Sequence, residues 1–76
     1  MNKARRAELN RIANAVTDLL QDLESVKDDE EEAMDNMPES LQGSERYEQM
    51  EEAVGSLEDA ISSLEEAVES IETAME

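Results

Sequence analysis

The chain has 76 residues, lacks cysteine and histidine, and carries a net charge of −16 from 22 acidic and six basic residues. This length allows one domain, 1–76, whose core is marginal without disulfides, metal or oligomerisation. The missing residue types exclude disulfides and the usual zinc ligands, so oligomerisation is the expected stabiliser. The charge excludes direct binding to nucleic acid or anionic membranes, which depends on lysine and arginine, and favours a basic protein surface as partner.

The first eleven residues carry four basic side chains against one acid, Glu8. This basic end, residues 1–11, either contacts a partner or, in the interpretation we favour, pairs with acids of the assembly or stays in solvent. A signal peptide requires an apolar run after its basic residues, and no such run follows the basic end. No segment is long and apolar enough to span a bilayer. We therefore expect a soluble intracellular protein.

Apolar residues step by three and four from Leu9 onwards, which predicts a helix over about residues 3–36. No glycine or proline interrupts residues 1–37. With heptad positions labelled a to g, the seam at a and d holds Leu9, Ile12, Val16, Leu19, Leu23 and Val26, then Glu30, Ala33 and Met37. Position e, beside the seam, holds Ala13, Leu20 and Met34.

The sequence DDEEE at Asp28–Glu32 allows loose binding of Ca²⁺, but it lacks the ligand spacing and central glycine of an EF-hand loop. The run also continues the helical register, so a solvated face is the favoured interpretation and no metal or cofactor is expected. Glu30 falls on the seam, where an unpaired carboxylate is costly. We expect it to meet the Arg46 guanidinium or the Tyr47 hydroxyl, or to mark the open end of the bundle.

A turn is predicted at residues 37–43, because Pro38 cannot continue the helical hydrogen bonds and Gly43 supplies backbone freedom. Ser44 is a candidate N-cap for the next helix. Leu41 is expected to fold over the end of the core.

The second helix, predicted over about 44–75, repeats one seven-residue unit four times from Tyr47. Position a holds Tyr47, Val54, Ile61, Val68 and Met75; position d holds Met50, Leu57, Leu64 and Ile71; position g holds Ala53, Ala60, Ala67 and Ala74. We expect Leu57, Ile61 and Leu64 to be buried against Val16, Leu19 and Leu23. Small residues at b and c, including Gly55, Ser56, Ser62 and Ser63, indicate either a solvent face or close approach of a partner.

The sequence thus predicts an all-α fold, an antiparallel two-helix hairpin. Each apolar stripe fills about three positions in seven, which is wider than one partner helix covers. We therefore expect two hairpins to form a homodimeric four-helix bundle. The residues assigned to the core or dimer contact are Leu20, Ala53, Ala60 and Ala67.

No enzyme is expected, because nucleophile–base pairs and phosphate-binding loops are absent and two helices offer little concave volume. The acidic residues assigned to partner binding lie at heptad positions f and b of the second helix or in the DDEEE run. They are Asp28, Asp29, Glu31, Glu32, Glu52, Asp59, Glu66 and Glu69.

The stretch Asp35–Ala67, above all NMPESLQGSERYE in the turn, resembles a group of small acidic proteins carried by phages and prophages of gut-type bacteria. The resemblance implies a bacterial host cytoplasm and a non-enzymatic inhibitor of host nucleic-acid machinery, such as a restriction or CRISPR effector. No residue-level role follows from it. The alternatives are a structural or adaptor coiled coil, and an acidic antitoxin or chaperone of a basic partner.

Overall fold

The computed structural model describes all 76 residues and contains two long helices, α1 (Lys3–Asp35) and α2 (Glu45–Met75), joined through a 3₁₀ turn at Glu39–Leu41. At 1.5 Å per residue, helices of 33 and 31 residues laid end to end would exceed about 90 Å. The molecule measures 59 × 14 × 12 Å, so the helices lie side by side. The predicted all-α helical hairpin is confirmed. Neither helix combines the length and the apolar character needed to cross a membrane.

Both helices begin at a side-chain cap. Asn2 Oδ1 accepts a hydrogen bond from the Arg5 N–H at 2.8 Å, and Ser44 Oγ, as predicted, accepts one from the Tyr47 N–H at 3.3 Å. These oxygens satisfy backbone donors that a helix leaves free in its first turn. Between the helices, the predicted cover of the core by Leu41 is wrong, because Leu41 ends the 3₁₀ turn with its side chain exposed.

The helices are staggered. Lys27 and Ile61 line one shared groove, and Leu20 and Val68 line a second hollow, so these pairs lie at the same levels along the hairpin. By this register α2 ends level with Ala13, and the first two turns of α1 project beyond it, with residues 1–8 all exposed. At the other end, α2 begins beyond the last residue of α1.

This stagger overturns the expected contact of Glu30. Glu30 is half-buried and lies level with Glu58, more than three turns from the N-terminal end of α2. It forms no ion pair with Arg46 and no hydrogen bond with Tyr47. The prediction was wrong because it assumed that both helices end at the same level.

The core is thin. Five residues are buried, and none of their side chains is completely enclosed: Ala13, Leu20, Met34, Val54 and Ile61. Val16, Leu23, Leu57 and Leu64 are only half-buried, and the predicted full burial of Leu57 and Leu64 is wrong, because one neighbouring helix leaves the edge of the contact open. The predicted burial of Leu19 is wrong, since Leu19 is 63% exposed and Val26 is 55% exposed.

The heptad positions explain this error. On α1 the buried residues stand at position e and those at position a are half-buried, whereas position d is largely exposed, so Leu20 packs inside the hairpin while Leu19 faces outward. A single neighbouring helix covers about two columns of side chains, whereas α1 carries three apolar columns. On α2 the core uses a and d as predicted, and the alanines at g stay exposed.

Candidate functional site

A shallow groove between the helices is lined mostly by charged side chains. Its walls are Glu24, Lys27 and Asp28 from α1 and Glu58, Ile61, Ser62 and Glu65 from α2. The α1 acids stand at heptad positions b and f and the α2 acids at e. In this antiparallel pair those positions lie on one side of the seam, so the fold places acids of both helices together.

A second hollow continues the same side towards the C-terminus of α2. Thr17, Leu20, Glu65, Val68 and Glu69 line it, and Glu65 belongs to both depressions. We call this side of the hairpin the acidic face, defined by its carboxylates. They are Glu24, Asp28, Glu31, Glu58, Glu65 and Glu69.

Lys27 is the one cation in the groove. Its side chain is 22% exposed, with Nζ lying 3.7 Å from an Asp28 oxygen and 3.9 Å from a Glu31 oxygen. The aliphatic stem lies beside the buried Ile61, while the ammonium group reaches the carboxylates at the surface. Lys27 therefore offsets part of the repulsion among the carboxylates of the acidic face.

Most other carboxylates have no cationic partner. The remaining ion pair joins Arg11 to Glu8 one turn away on α1, so every ion pair of the molecule lies within α1. The hydrogen bond from Arg11 and its positive charge hold the pKa of Glu8 below its usual value. The pair therefore stabilises the fold at a pH above the ordinary pKa of glutamate, and this stabilisation is lost as the pH falls through the lowered pKa. On α2, no carboxylate is neutralised by an ion pair.

The structure distributes the residues that the sequence assigned to partner binding over three surfaces. Asp28, Glu31 and Glu69 lie on the acidic face. Glu52, Asp59 and Glu66 are exposed along the back of α2, at heptad position f. Asp29 and Glu32 are exposed on the side of α1 away from the groove.

Sequence reasoning missed Glu24, Glu58 and Glu65 as groove residues. The signal was available in their heptad positions, because columns that flank the seam on the same side of an antiparallel pair must converge. It went unused because the register between the helices was not known, and outward-pointing acids were chosen instead.

The acidic face has the chemistry of a charged docking surface. No group of three carboxylates converges closely enough to hold a metal ion. What the arrangement offers is a row of anionic groups that spans about 18 Å, roughly a third of the length of the hairpin.

The melting temperature should rise between about 10 mM and 150 mM NaCl, because salt screens the repulsion that opposes compaction of a chain at −16. Thermal unfolding followed by circular dichroism at several salt concentrations measures this effect. A neutral osmolyte at matched osmolality serves as the control. A flat or falling curve would show that the ion pairs within α1 outweigh the repulsion.

No family model matches the chain, and neither the curated proteins nor the solved structures compared with it gave a match.

Proposed function

We propose that this protein is a non-enzymatic, acidic protein-binding module that occupies a basic groove of a nucleic-acid-binding protein and blocks it. The observation that carries the proposal is the acidic face, where carboxylates from two helices stand side by side with Lys27 as the only cation. A basic protein surface is the chemical complement of such a row.

The charge density supports imitation of nucleic acid. Spread over 59 Å, the net charge of −16 gives one charge per about 3.7 Å for one hairpin, and one per about 1.8 Å for two hairpins side by side. Duplex DNA carries one charge per about 1.7 Å of helix axis. A homodimer thus reaches the density of a duplex, and a single hairpin does not.

The proposed setting is the cytoplasm of a bacterial host, with a phage or prophage as the source. The turn motif from Asn36 to Glu48 motivates this part of the proposal, since it resembles small acidic phage proteins. The proposed targets are restriction or CRISPR effectors, which hold nucleic acid in basic channels.

The test starts with affinity capture from bacterial lysate and identification of the retained proteins. Each candidate is then purified, its binding measured, and duplex or single-stranded nucleic acid added as a competitor. Nucleic acid should displace the protein, and 150 mM salt should weaken the complex relative to 50 mM.

Charge reversal locates the contact. The double variant Glu58→Lys and Glu65→Lys should lower affinity by about tenfold or more, since it places two cations in the anionic row. The matched control is Glu39→Lys with Glu76→Lys, which changes the net charge equally at the two ends of the molecule. Equal losses in both pairs would point to net charge alone, and a partner that nucleic acid cannot displace would refute mimicry.

A structural adaptor is the second candidate, and the exposed side chains of Leu19 and Val26 favour it. An adaptor would bind its partner through this apolar stripe, so its affinity would change little with salt. The salt series and the two charge-reversal pairs therefore separate the two functions.

A further inference from the structure

One side of the hairpin is apolar and uncovered. It lies opposite the acidic face, across the seam, where position d of α1 and position g of α2 meet. We call it the uncovered face. Its residues are Ile12, Leu19, Val26 and Ala33 of α1 and Ala53, Ala60, Ala67 and Ala74 of α2.

The charges of α2 are segregated away from the uncovered face. All eleven acidic residues from Glu45 to Glu76 stand at positions b, e and f. Next to the alanine column, position c holds only uncharged residues: Gln49, Ser56, Ser63 and Ser70. Half of the circumference of α2 therefore carries no acid, although the chain as a whole is strongly anionic. A second acidic chain can approach this half without meeting a row of carboxylates.

The charges of α1 indicate how a second copy is oriented. Residues 1–11 hold four basic side chains and one acid, whereas the other end of the helix and the turn carry Glu32, Asp35 and Glu39. An antiparallel copy brings the basic end of each α1 to the acidic end of the other, while a parallel copy sets like charges together. The two ends of the helix are thus complementary to each other only in the antiparallel direction.

The size of the face also suits a second copy. The broad side of a 59 × 14 Å hairpin projects about 800 Å², the area that each partner buries in a stable complex of standard size. Leu19 and Val26, which are 63% and 55% exposed in the single hairpin, would form the core of such a contact.

We propose that two copies of this chain pack through their uncovered faces about a twofold axis perpendicular to the helices, with α1 antiparallel to α1 and α2 antiparallel to α2. In this arrangement Leu19 of one protomer lies opposite Val26 of its partner, and Ile12 opposite Ala33. The alanine and serine columns let the two α2 helices approach closely, because small side chains shorten the distance between helix axes. Both acidic faces remain on the outside of the four-helix bundle.

Light scattering tests the interface without any binding partner, so its outcome is independent of the proposed function. The unmodified chain should have a mass of about 17 kDa at 50 μM, twice the 8.5 kDa of one chain. Leu19→Lys should raise the dissociation constant by about 30-fold or more while helical circular dichroism is retained, because Leu19 is outside the hairpin core. The matched control is Gln21→Lys, the same charge change on the exposed outer side of α1, which should leave the dimer intact.

Cysteine cross-linking tests the direction, and the chain has no cysteine of its own to interfere. A mixture of Ile12→Cys and Ala33→Cys chains should give the mixed disulfide, and each variant alone should give little cross-linked dimer. A monomer at 50 μM, equal effects of Leu19→Lys and Gln21→Lys, or preferential self-linking of Ile12→Cys chains would each overturn the proposed arrangement.

Discussion

Replacing Ile61 by alanine is expected to lower the free energy of unfolding by about 2–4 kcal/mol. Ile61 is 7% exposed and is the most buried large side chain of the hairpin, level with the stem of Lys27. The core has no fully enclosed side chain to compensate, and a domain of this size has little stability in reserve. Urea unfolding followed by circular dichroism gives the value.

The control for this change is Leu41→Ala, which removes the same number of carbon atoms at an exposed site in the turn. It should cost less than about 0.5 kcal/mol. Leu64→Ala should fall between the two, since Leu64 is only half-buried. Similar losses for Ile61→Ala and Leu41→Ala would contradict the assignment of the core to positions a and d of α2.

Replacing Lys27 by glutamate is expected to cost on the order of 2 kcal/mol at low salt, because two attractive pairs become repulsive and three further carboxylates line the same groove. The Lys27 side chain is mostly buried, so its charge is less screened than that of an exposed lysine. Chemical unfolding in 10 mM and in 500 mM NaCl measures the effect.

Lys27→Met is the matched control, since it keeps the unbranched stem beside Ile61 and removes only the charge. The difference in stability between the Glu and Met variants should shrink in 500 mM NaCl, where the screening length is about 4 Å. A difference that does not respond to salt would mean that Lys27 acts through packing alone.

Much of the fold follows from the sequence because its two signals are local. The three-and-four spacing from Leu9 and the heptads from Tyr47 each predict a helix, and Pro38 with Ser44 marks where one ends and the other begins. Helix formation and capping depend on residues within a few positions of one another, so a single sequence contains the needed information.

The columns of α1 that pack against α2, and the stagger between the two helices, could not be predicted from such local signals. Leu19 and Leu20 are adjacent leucines in neighbouring columns, and only the choice of the packed columns decides which one is buried. That choice and the register depend on contacts between residues far apart in the chain. Because the register was unknown, Glu30 was wrongly expected near Arg46, and Glu58 and Glu65 were left out of the candidate site.

The stagger also has a consequence for proteolysis. Four of the six basic residues, where trypsin cleaves, lie within residues 1–11, mostly on the projecting turns of α1 that no second helix supports. Helix ends without packing fray and are the usual sites of limited cleavage, whereas the mostly buried Lys27 lies in mid-helix. Arg46 lies in the first turn of α2, which the Ser44 cap stabilises, and is expected to be cut next. Brief trypsin treatment should therefore release the basic end first and leave a hairpin of residues 12–76. That fragment would carry a net charge of −19, since the removed segment holds four basic residues and one acid. The basic end thus neutralises part of the negative charge of the molecule, and a single cleavage after Arg11 removes it.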